Sequence, residues 1–322
     1  MLYGLARAHP EWRFLYCYRA HRLLKSFAER QPPNARRRLL SYERQPRADL
    51  FHALNQRVEC KQKSVPTVVT FHDLFVLSGD YSSKDFRKDF AMRAIQAAER
   101  ADLIIAVSQF TATQIAANLK VPEARLRVVA HGTRPPAGVL SEDTARENII
   151  LHVGAIQKRK NIIRLVEAFE STDPWWKLVL AGAPGGWQSD QALARIEASP
   201  ARSRIEVTGY VPDVALEDLY RRARIFAFPS LDEGFGIPVI EAMARGVPVL
   251  TSNRSALPEA AGGAALLVDP LDAGAIADGL RQLTQEVGLR AELRAKGLAR
   301  AASMTWERAV EQTWAVYREL LP

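Results

Sequence analysis

Short apolar runs recur along this chain and alternate with longer segments whose apolar residues have helical spacing. Uninterrupted apolar strands separated by helices are typical of parallel sheets that are covered on both faces. The sequence therefore predicts an α/β fold. We expect strands at residues 12–18, 49–54, 66–71, 103–107, 126–130, 149–153, 177–181, 205–207, 225–228, 247–251 and 265–268.

The alternation is interrupted once, between residues 133 and 148, by a polar and irregular stretch that begins Thr133-Arg134-Pro135-Pro136. A chain of 322 residues also exceeds what one hydrophobic core usually serves. We therefore predict a linker at 133–148, an N-terminal domain over 1–135 and a C-terminal domain over 136–305. A long amphipathic helix is expected over residues 306–322.

Apolar content is ordinary, at 48%, and no window approaches the roughly 18 uninterrupted apolar residues that a membrane-spanning helix needs. The two cysteines, Cys17 and Cys60, are too few for a disulfide framework or a cysteine-rich metal site. Such usage favours a reducing, cytoplasmic location.

Positive charge is concentrated near the N-terminus. The formal net charge is +8, and residues 1–60 alone hold twelve Lys or Arg against five Asp or Glu. Such a region attracts an anionic partner.

Four cations interleaved with apolar residues predict a short basic amphipathic helix of the kind found at membrane surfaces. These are Arg19, Arg22, Lys25 and Arg30 with Leu23, Leu24 and Phe27. The alternative is a solvated helix face whose apolar side packs in the core. Arg36–Arg38 is expected in a loop.

Several chemistries lack their sequence signatures. The chain has no ATPase-type phosphate loop, no Gly-x-Gly-x-x-Gly after a strand and no Gly-x-Ser-x-Gly elbow. Its six histidines lack zinc-ligand spacing, and no Asp-x-Asp occurs. A diphosphate would therefore have to be neutralised by Lys, Arg and backbone N–H groups, and we expect neither a metal nor another cofactor.

The most informative stretch is 225–248, where a buried strand runs into the turn Glu233-Gly-Phe-Gly and a helix begins at about Ile237. Such turns lie at the carboxyl edge of an α/β sheet, where ligands bind. Glycines let backbone approach a ligand closely, and free N–H groups at a helix start suit phosphate. Glu233 and Glu241 can reach different parts of one extended ligand, and a carboxylate suits sugar or ribose hydroxyls.

The Glu233-x7-Glu241 motif, in its context Pro229-Ser230…Glu233-Gly-Phe-Gly…Glu241-Ala-Met-Ala-Arg-Gly-Val-Pro, resembles the retaining nucleotide-sugar glycosyltransferases of family 4. Further stretches are similar to motifs of that family and occur in the same order: Thr70-Phe71-His72-Asp73-Leu74, Ala106-Val107-Ser108, Val153-Gly154 with Arg159-Lys160-Asn161, and Gly209-Tyr210-Val211. The subgroup it resembles comprises bacterial mannosyl- and rhamnosyltransferases of polysaccharide assembly.

The resemblance implies a GT-B fold: two Rossmann-like domains with a deep cleft, and a C-terminal helix that crosses back to the N-domain. It implies that Lys160 and Arg159 bind the donor diphosphate, that Glu241 binds the ribose and that Glu233 holds the transferred sugar. His72 would touch the donor sugar, which makes His72, Glu233 and Lys160 the catalytic set. The other donor-binding residues implied are Gly154, Val211, Gly234, Phe235, Gly236 and Ile237.

From the residues alone, the basic turn Lys158-Arg159-Lys160 could equally be solvated, Glu241 an exposed helix carboxylate and Glu233 a helix-capping acid. A histidine at a strand end, such as His72, can also be satisfied by backbone alone. We expect His131 to be structural.

The activity implied is metal-independent transfer of a hexose, mannose-like by preference, with retention. In a front-face route the departing phosphate oxygen takes the acceptor proton, so the protein supplies positioning and charge. Domain closure would bring His72 against Glu233. The expected partners are a nucleotide-sugar donor, a glycan or lipid-linked acceptor and an anionic membrane surface bound through residues 1–60. That places the enzyme in the cytoplasm, peripheral at the inner face of the plasma membrane. No nucleic-acid partner is expected.

One departure from the family concerns the beginning of the chain, Leu2–Arg7, which corresponds to the family's first helix. The strand and Gly-rich turn that normally precede it are missing, and the expected result is an apolar groove with unpaired backbone groups. Two other functions stay open: an inactive nucleotide-sugar-binding homologue, or another GT-B enzyme such as a sugar-nucleotide epimerase. The donor sugar, its base and the acceptor do not follow from the sequence.

Overall fold

The computed structural model describes residues 1–136 and 146–321, so most of the predicted linker, residues 137–145, lies outside the described residues. The contacts divide the chain into two units. The first unit comprises Met1–Leu77, Lys84–Gly132 and Thr305–Pro322, and the second comprises Ser78–Ser83 and Thr133–Met304. The last helix thus belongs with the N-terminal residues.

The strands, in chain order, are β1 (Phe14–Tyr18), β2 (Ala35–Leu39), β3 (Phe51–Ala53), β4 (Thr67–Phe71), β5 (Leu103–Ala106), β6 (Leu126–Val128), β7 (Glu147–Val153), β8 (Lys177–Ala181), β9 (Ile205–Gly209), β10 (Ala223–Phe228), β11 (Val249–Ser252) and β12 (Leu266–Val268).

The helices are α1 (Leu2–Ala8), α2 (Ala20–Ser26), α3 (Phe75–Ser78), α4 (Lys84–Arg100), α5 (Gln109–Leu119), α6 (Ile162–Phe169), α7 (Ser189–Glu197), α8 (Asp213–Arg222), α9 (Ile237–Ala244), α10 (Leu257–Ala261), α11 (Ala273–Gln285), α12 (Val287–Ala302) and α13 (Trp306–Arg318).

The first unit holds two parallel sheets, a four-stranded one in the order β3-β4-β5-β6 and a pair, β1-β2. Helix α13 packs against α1, where Leu5 joins Val310 and Tyr317 in a buried cluster. Local signals explain several helix starts. Ser108 lies between β5 and α5, and its hydroxyl caps α5 by accepting a hydrogen bond from the Thr111 N–H at 3.0 Å.

A cavity of about 1000 Å³ lies in the first unit beside β1 and β3. All five residues of β1 and all three of β3 line it. Successive strand residues point to opposite faces of a sheet, so a cavity lined by all of them lies beside the strand edges, not on one face. Charged side chains such as Arg13, Asp49 and Glu59 line the cavity together with apolar and aromatic ones.

The second unit has one six-stranded parallel sheet in the order β12-β11-β10-β7-β8-β9. The chain builds outward from β7 to β9, then returns to place β10 on the other side of β7. This reversal makes the β7–β10 boundary a topological switch point, where ligands bind in open α/β sheets. Both strands are apolar because both faces are covered: Ile225, Phe226, Ala227 and Phe228 are fully buried.

The predicted strands all appear, with ends shifted by a few residues. The expectation of a loop at Arg36–Arg38 is wrong, because these residues form the middle of β2. Arg37 donates to the carbonyl oxygens of Ser26 and Glu29, so a tertiary contact compensates for a run of charges that rarely forms a strand. None of the helices in the described ranges is both long and apolar enough to span a bilayer.

Candidate functional site

Two loops meet at the carboxyl edge of the second unit's sheet. One follows β7 and carries Gly154, Arg159 and Lys160, and the other follows β10 and carries Ser230 and Glu233. These strands are hydrogen-bonded neighbours and run parallel, so their ends lie at the same edge. Sheet order thus brings together residues that are more than seventy positions apart in sequence.

Glu233 is the centre of this cluster. Its Oε1 receives hydrogen bonds from Lys160 Nζ at 2.6 Å and Ser230 Oγ at 2.6 Å, and an ion pair joins it to Arg159 at 2.7 Å. The Glu233 N–H donates to Ser255 Oγ at 3.1 Å. Among the described residues, Oε2 takes no hydrogen bond. One carboxylate oxygen is therefore anchored, and the other is available to a ligand.

The ion pairs control the protonation of Glu233. Burial alone would raise the pKa of this carboxyl, but the charges of Lys160 and Arg159 and their hydrogen bonds lower it to about 2. Glu233 is therefore a carboxylate at any physiological pH. Two cations and the Glu233 carboxylate thus lie in a nearly dry site, and the buried carboxyl of Asp232 is close enough to Arg159 to interact with it.

The three residues of the basic turn Lys158-Arg159-Lys160 differ sharply in side-chain exposure. Lys158 keeps 37% of its side chain exposed and pairs with Asp80 at 3.3 Å. Arg159 and Lys160 keep 10% and 9%. The solvated alternative therefore describes Lys158 but not its two neighbours. Glu233 likewise binds cations rather than capping a helix.

Two glycines allow this packing. Gly154 has φ +147°, and a Cβ there would lie 3.2 Å from Lys160 Cε. Gly236 has φ +107° and immediately precedes α9, where a Cβ would lie 2.9 Å from Leu257 Cδ2. Phe235 between the turn and the helix is buried, and Ile237 is 38% exposed. The predicted roles of residues 234–237 as backbone donors stay predictions.

Glu241 lies one turn into α9 and is half-buried. It accepts a hydrogen bond from the Tyr220 hydroxyl at 3.3 Å, and the Arg245 guanidinium lies 5.0 Å from the Tyr220 ring centre. Burial raises the pKa of Glu241, and Arg245 opposes that shift. The exposed-carboxylate alternative is thereby excluded. Val211 follows the end of β9 and is half-buried beside the exposed ring of Tyr210.

His72 lies in the first unit at the end of β4, where both ring nitrogens have partners. Nε2 is 2.7 Å from the Leu54 carbonyl oxygen, which can only accept, so Nε2 carries a proton. Nδ1 is 3.1 Å from His131 Nε2. Burial, with the nearby His72, lowers the pKa of His131 to about 4, so His131 is neutral. The donor-sugar role of His72 stays a prediction.

Three features of the site were not predicted from the sequence. Ser230 occurs in the motif but was given no role. His152 is fully buried beneath Lys160, with Nδ1 donating to the Ala227 carbonyl at 3.0 Å and Nε2 unpartnered in the described part of the chain. The segment Ser78–Ser83 reaches the second unit from far away in sequence, where Ser78 donates to Asp232. Only the Ser230 motif offered a sequence signal.

Metal binding finds no ready site. Across residues 1–136 and 146–321, no three His, Cys, Asp or Glu side chains are grouped to hold a metal ion.

Two family models match the chain. The model "Glycosyl transferases group 1" matches residues 141–300, and "Glycosyltransferase Family 4" matches residues 5–135. The chain is 34% identical over 268 residues to O-antigen chain mannosyltransferase B of Escherichia coli, covering 79% of this chain and 70% of that protein. It is 29% identical to the serotype-specific mannosyltransferase WbdA of Escherichia coli over 79% of this chain, but spans only 34% of that protein.

Solved structures share the fold. Sucrose-phosphate synthase from Thermosynechococcus elongatus is 22% identical with a TM-score of 0.79, covering 98% of this chain and 91% of that one. WaaG, a glycosyltransferase involved in lipopolysaccharide biosynthesis, is 14% identical with a TM-score of 0.72 over 94% and 99%. The chain therefore belongs to the family 4 glycosyltransferases and has their GT-B fold.

Proposed function

We propose that this glycosyltransferase moves a hexose, mannose-like by preference, from a nucleotide sugar to a glycan or lipid-linked acceptor in cell-surface polysaccharide synthesis. The relative at 34% identity is named as a mannosyltransferase of an O-antigen chain, and that name supports both the sugar and the acceptor class.

The observation that carries the proposal is the buried group of Lys160, Arg159 and Glu233 at the switch point of the second sheet. Lys160 and Arg159 would bind the donor diphosphate, with Gly154 and residues 234–237 as further positions that contact the donor. Cations that are already desolvated and held in place stabilise a departing nucleoside diphosphate without reorganising. They therefore do the work that a divalent metal does in other transferases.

The carboxylates would bind hydroxyl groups. Glu233 offers Oε2 to the transferred sugar, because Oε1 is held by Lys160, Arg159 and Ser230. Glu241 lies on α9, the helix that follows the turn expected to face the phosphates. It would bind the ribose diol. Val211 would meet the base through its backbone, and His72 would position the sugar.

The reaction would proceed with retention. The bond from the anomeric carbon to the phosphate oxygen breaks, and the acceptor oxygen bonds to the same face of that carbon. The acceptor proton passes to the departing phosphate oxygen. The protein then supplies orientation and charge stabilisation rather than a side-chain base.

A donor screen tests the proposal. UDP-, GDP- and dTDP-sugars are added, with and without EDTA, and thermal unfolding is followed. A bound donor at about 100 times its Kd stabilises by about 2.7 kcal/mol, which is measured as a rise in Tm. We expect a rise with a mannose-like donor that EDTA leaves unchanged, followed by transfer to a glycan acceptor. Failure of every donor to bind would overturn the proposal, and binding without transfer would identify an inactive homologue.

The acceptor and the positive charge near the N-terminus together suggest where the enzyme works. A lipid-linked acceptor lies at a membrane, and an excess of Lys and Arg in residues 1–60 is attracted to anionic head groups. The proposed location is therefore cytoplasmic and peripheral, at the inner face of the plasma membrane.

A further inference from the structure

Helix α2 turns a polar residue toward the protein and an apolar residue toward solvent. Ser26 is the only buried residue of the helix, whereas Leu24 is 79% exposed. Two residues along an α-helix are separated by about 200°, so Leu24 points almost directly away from the side that faces the protein. Phe27, just beyond the helix, is 64% exposed. The alternative of an apolar side packed in the core is therefore wrong for these two residues.

The exposed phenyl ring is held in place. The Arg37 guanidinium lies 5.0 Å from the centre of the Phe27 ring, and Arg37 also donates to the Ser26 carbonyl oxygen at 2.8 Å. These contacts fix the end of α2 against strand β2. Exposed Leu39 lies two residues after Arg37 and so on the same face of β2. An apolar group that stays exposed because the fold holds it there indicates a partner surface rather than an unfolded segment.

Positive side chains surround this apolar surface. Arg22, Lys25 and Arg30 are exposed, and in the described part of the chain none forms an ion pair with an acidic side chain. The nearest acidic residue of the segment, Glu29, accepts a hydrogen bond from the Tyr3 hydroxyl. Cations around exposed Leu and Phe match an anionic lipid surface, which offers phosphates to the cations and acyl chains to the apolar groups.

We infer that Leu24 and Phe27, with Arg22, Lys25 and Arg30, form the surface that docks this enzyme on an anionic bilayer. This α2 surface deepens the proposed peripheral location and rests on it. Leu24 and Phe27 enter the boundary between head groups and acyl chains, and the three cations bind lipid phosphates. The docking brings the first unit, rather than the donor-binding second unit, to the membrane.

Vesicle co-sedimentation tests the inference, with phosphatidylcholine vesicles compared to vesicles that contain about 30% phosphatidylglycerol. We expect the wild-type protein to bind only the anionic vesicles at about 20 mM salt, and to bind them weakly at about 500 mM because salt screens the attraction. Leu24→Ser with Phe27→Ser should weaken binding at least about tenfold. Arg22→Gln with Lys25→Gln should weaken it about fivefold for each charge removed.

Matched controls lie on the same unit. Met92→Ser with Ile95→Ser removes two exposed apolar side chains from α4, and Lys88→Gln with Lys120→Gln removes two exposed charges elsewhere. Both controls should bind vesicles as the wild type does. Equal losses in the controls, or no vesicle binding by the wild type at low salt, would overturn the inference.

Donor binding is measured on the same samples. A protein that binds donor but not vesicles would leave the proposed transferase intact and refute only the α2 surface. An unchanged Tm in each variant shows that the exposed substitutions leave the fold intact. Vesicle binding that survives replacement of Leu24, Phe27, Arg22 and Lys25 together would likewise refute the α2 surface.

Discussion

Lys160 donates to Glu233 Oε1 at 2.6 Å, and both side chains are about nine-tenths buried. The two residues come from loops that follow neighbouring parallel strands, so the pair joins the two sides of the switch point. This buried ion pair also includes Arg159, and it holds its geometry before any ligand arrives. Such preorganised charge is what an enzyme needs to stabilise a departing diphosphate.

Replacing Lys160 by Ala should lower kcat/KM for sugar transfer by about 100- to 1000-fold, because the diphosphate loses one of its two desolvated cations. Arg159 and Ser230 still bind Glu233, so the variant should remain folded. Lys158→Ala is the control, since Lys158 is solvated and pairs with Asp80 at the surface. Steady-state kinetics would contradict the assignment if both variants lost activity equally.

The acid dependence of stability follows from Glu233. Its pKa is about 2 in the folded protein and about 4.3 in an unfolded chain, so the stabilisation is present above the higher value and is lost as pH falls toward the lower. Wild type should exceed Glu233→Gln in free energy of unfolding by a constant amount above about pH 5. That difference should shrink below about pH 4. Denaturant unfolding at several pH values measures it, and a difference that grows with acid would contradict the ion pairing.

Gly154→Ala should reduce donor binding, because the new Cβ would lie 3.2 Å from Lys160 Cε and displace that side chain. Gly185→Ala is a matched control: its φ is also positive, at +132°, but a Cβ there meets nothing within 4 Å. Backbone strain should lower the stability of both variants by about 1–3 kcal/mol. Calorimetric titration with the donor compares the affinities of the Gly154→Ala and Gly185→Ala variants. Equal affinities would argue against an effect of residue 154 on donor binding through Lys160.

Ser230→Ala should weaken transfer by removing one of three donors that hold Glu233 Oε1. Ser199→Ala is its counterpart, because Ser199 is also buried and donates to a carboxylate, Glu170 Oε1, at 2.7 Å. Each variant should lose about 1–3 kcal/mol of stability. Only Ser230→Ala should also lower kcat, and parallel kinetics for the two variants would show that Ser230 is purely structural.

The strands and the start of α9 were predictable because they depend on local pattern. Strand β8 occupies residues 177–181 as expected, and α9 begins at Ile237 as the glycines and Pro238 indicate. Strand β2 was missed because its pairing with β1 and the Arg37 contacts are tertiary. A run of three arginines gives no local sign of such contacts.

The site was predictable in its residues but not in its arrangement. Nothing in the turn Lys158-Arg159-Lys160 distinguishes a solvated lysine from a buried one. The difference arises because β10 pairs with β7 and brings Glu233 to Lys160. The docking of Ser78 beside Asp232 depends on a contact across more than 150 residues, which lies outside any motif.

Within residues 1–136 and 146–321, β1 and β3, the two strands beside the cavity, each have a ladder partner on one side only. Strand β4, by contrast, is paired on both sides, with β3 and β5. Amides that point toward the cavity have no carbonyl to protect them from solvent, so they should exchange hydrogen for deuterium well before those of β4. The strand edges beside this cavity are thus where we expect the sheets of the first unit to open to solvent first.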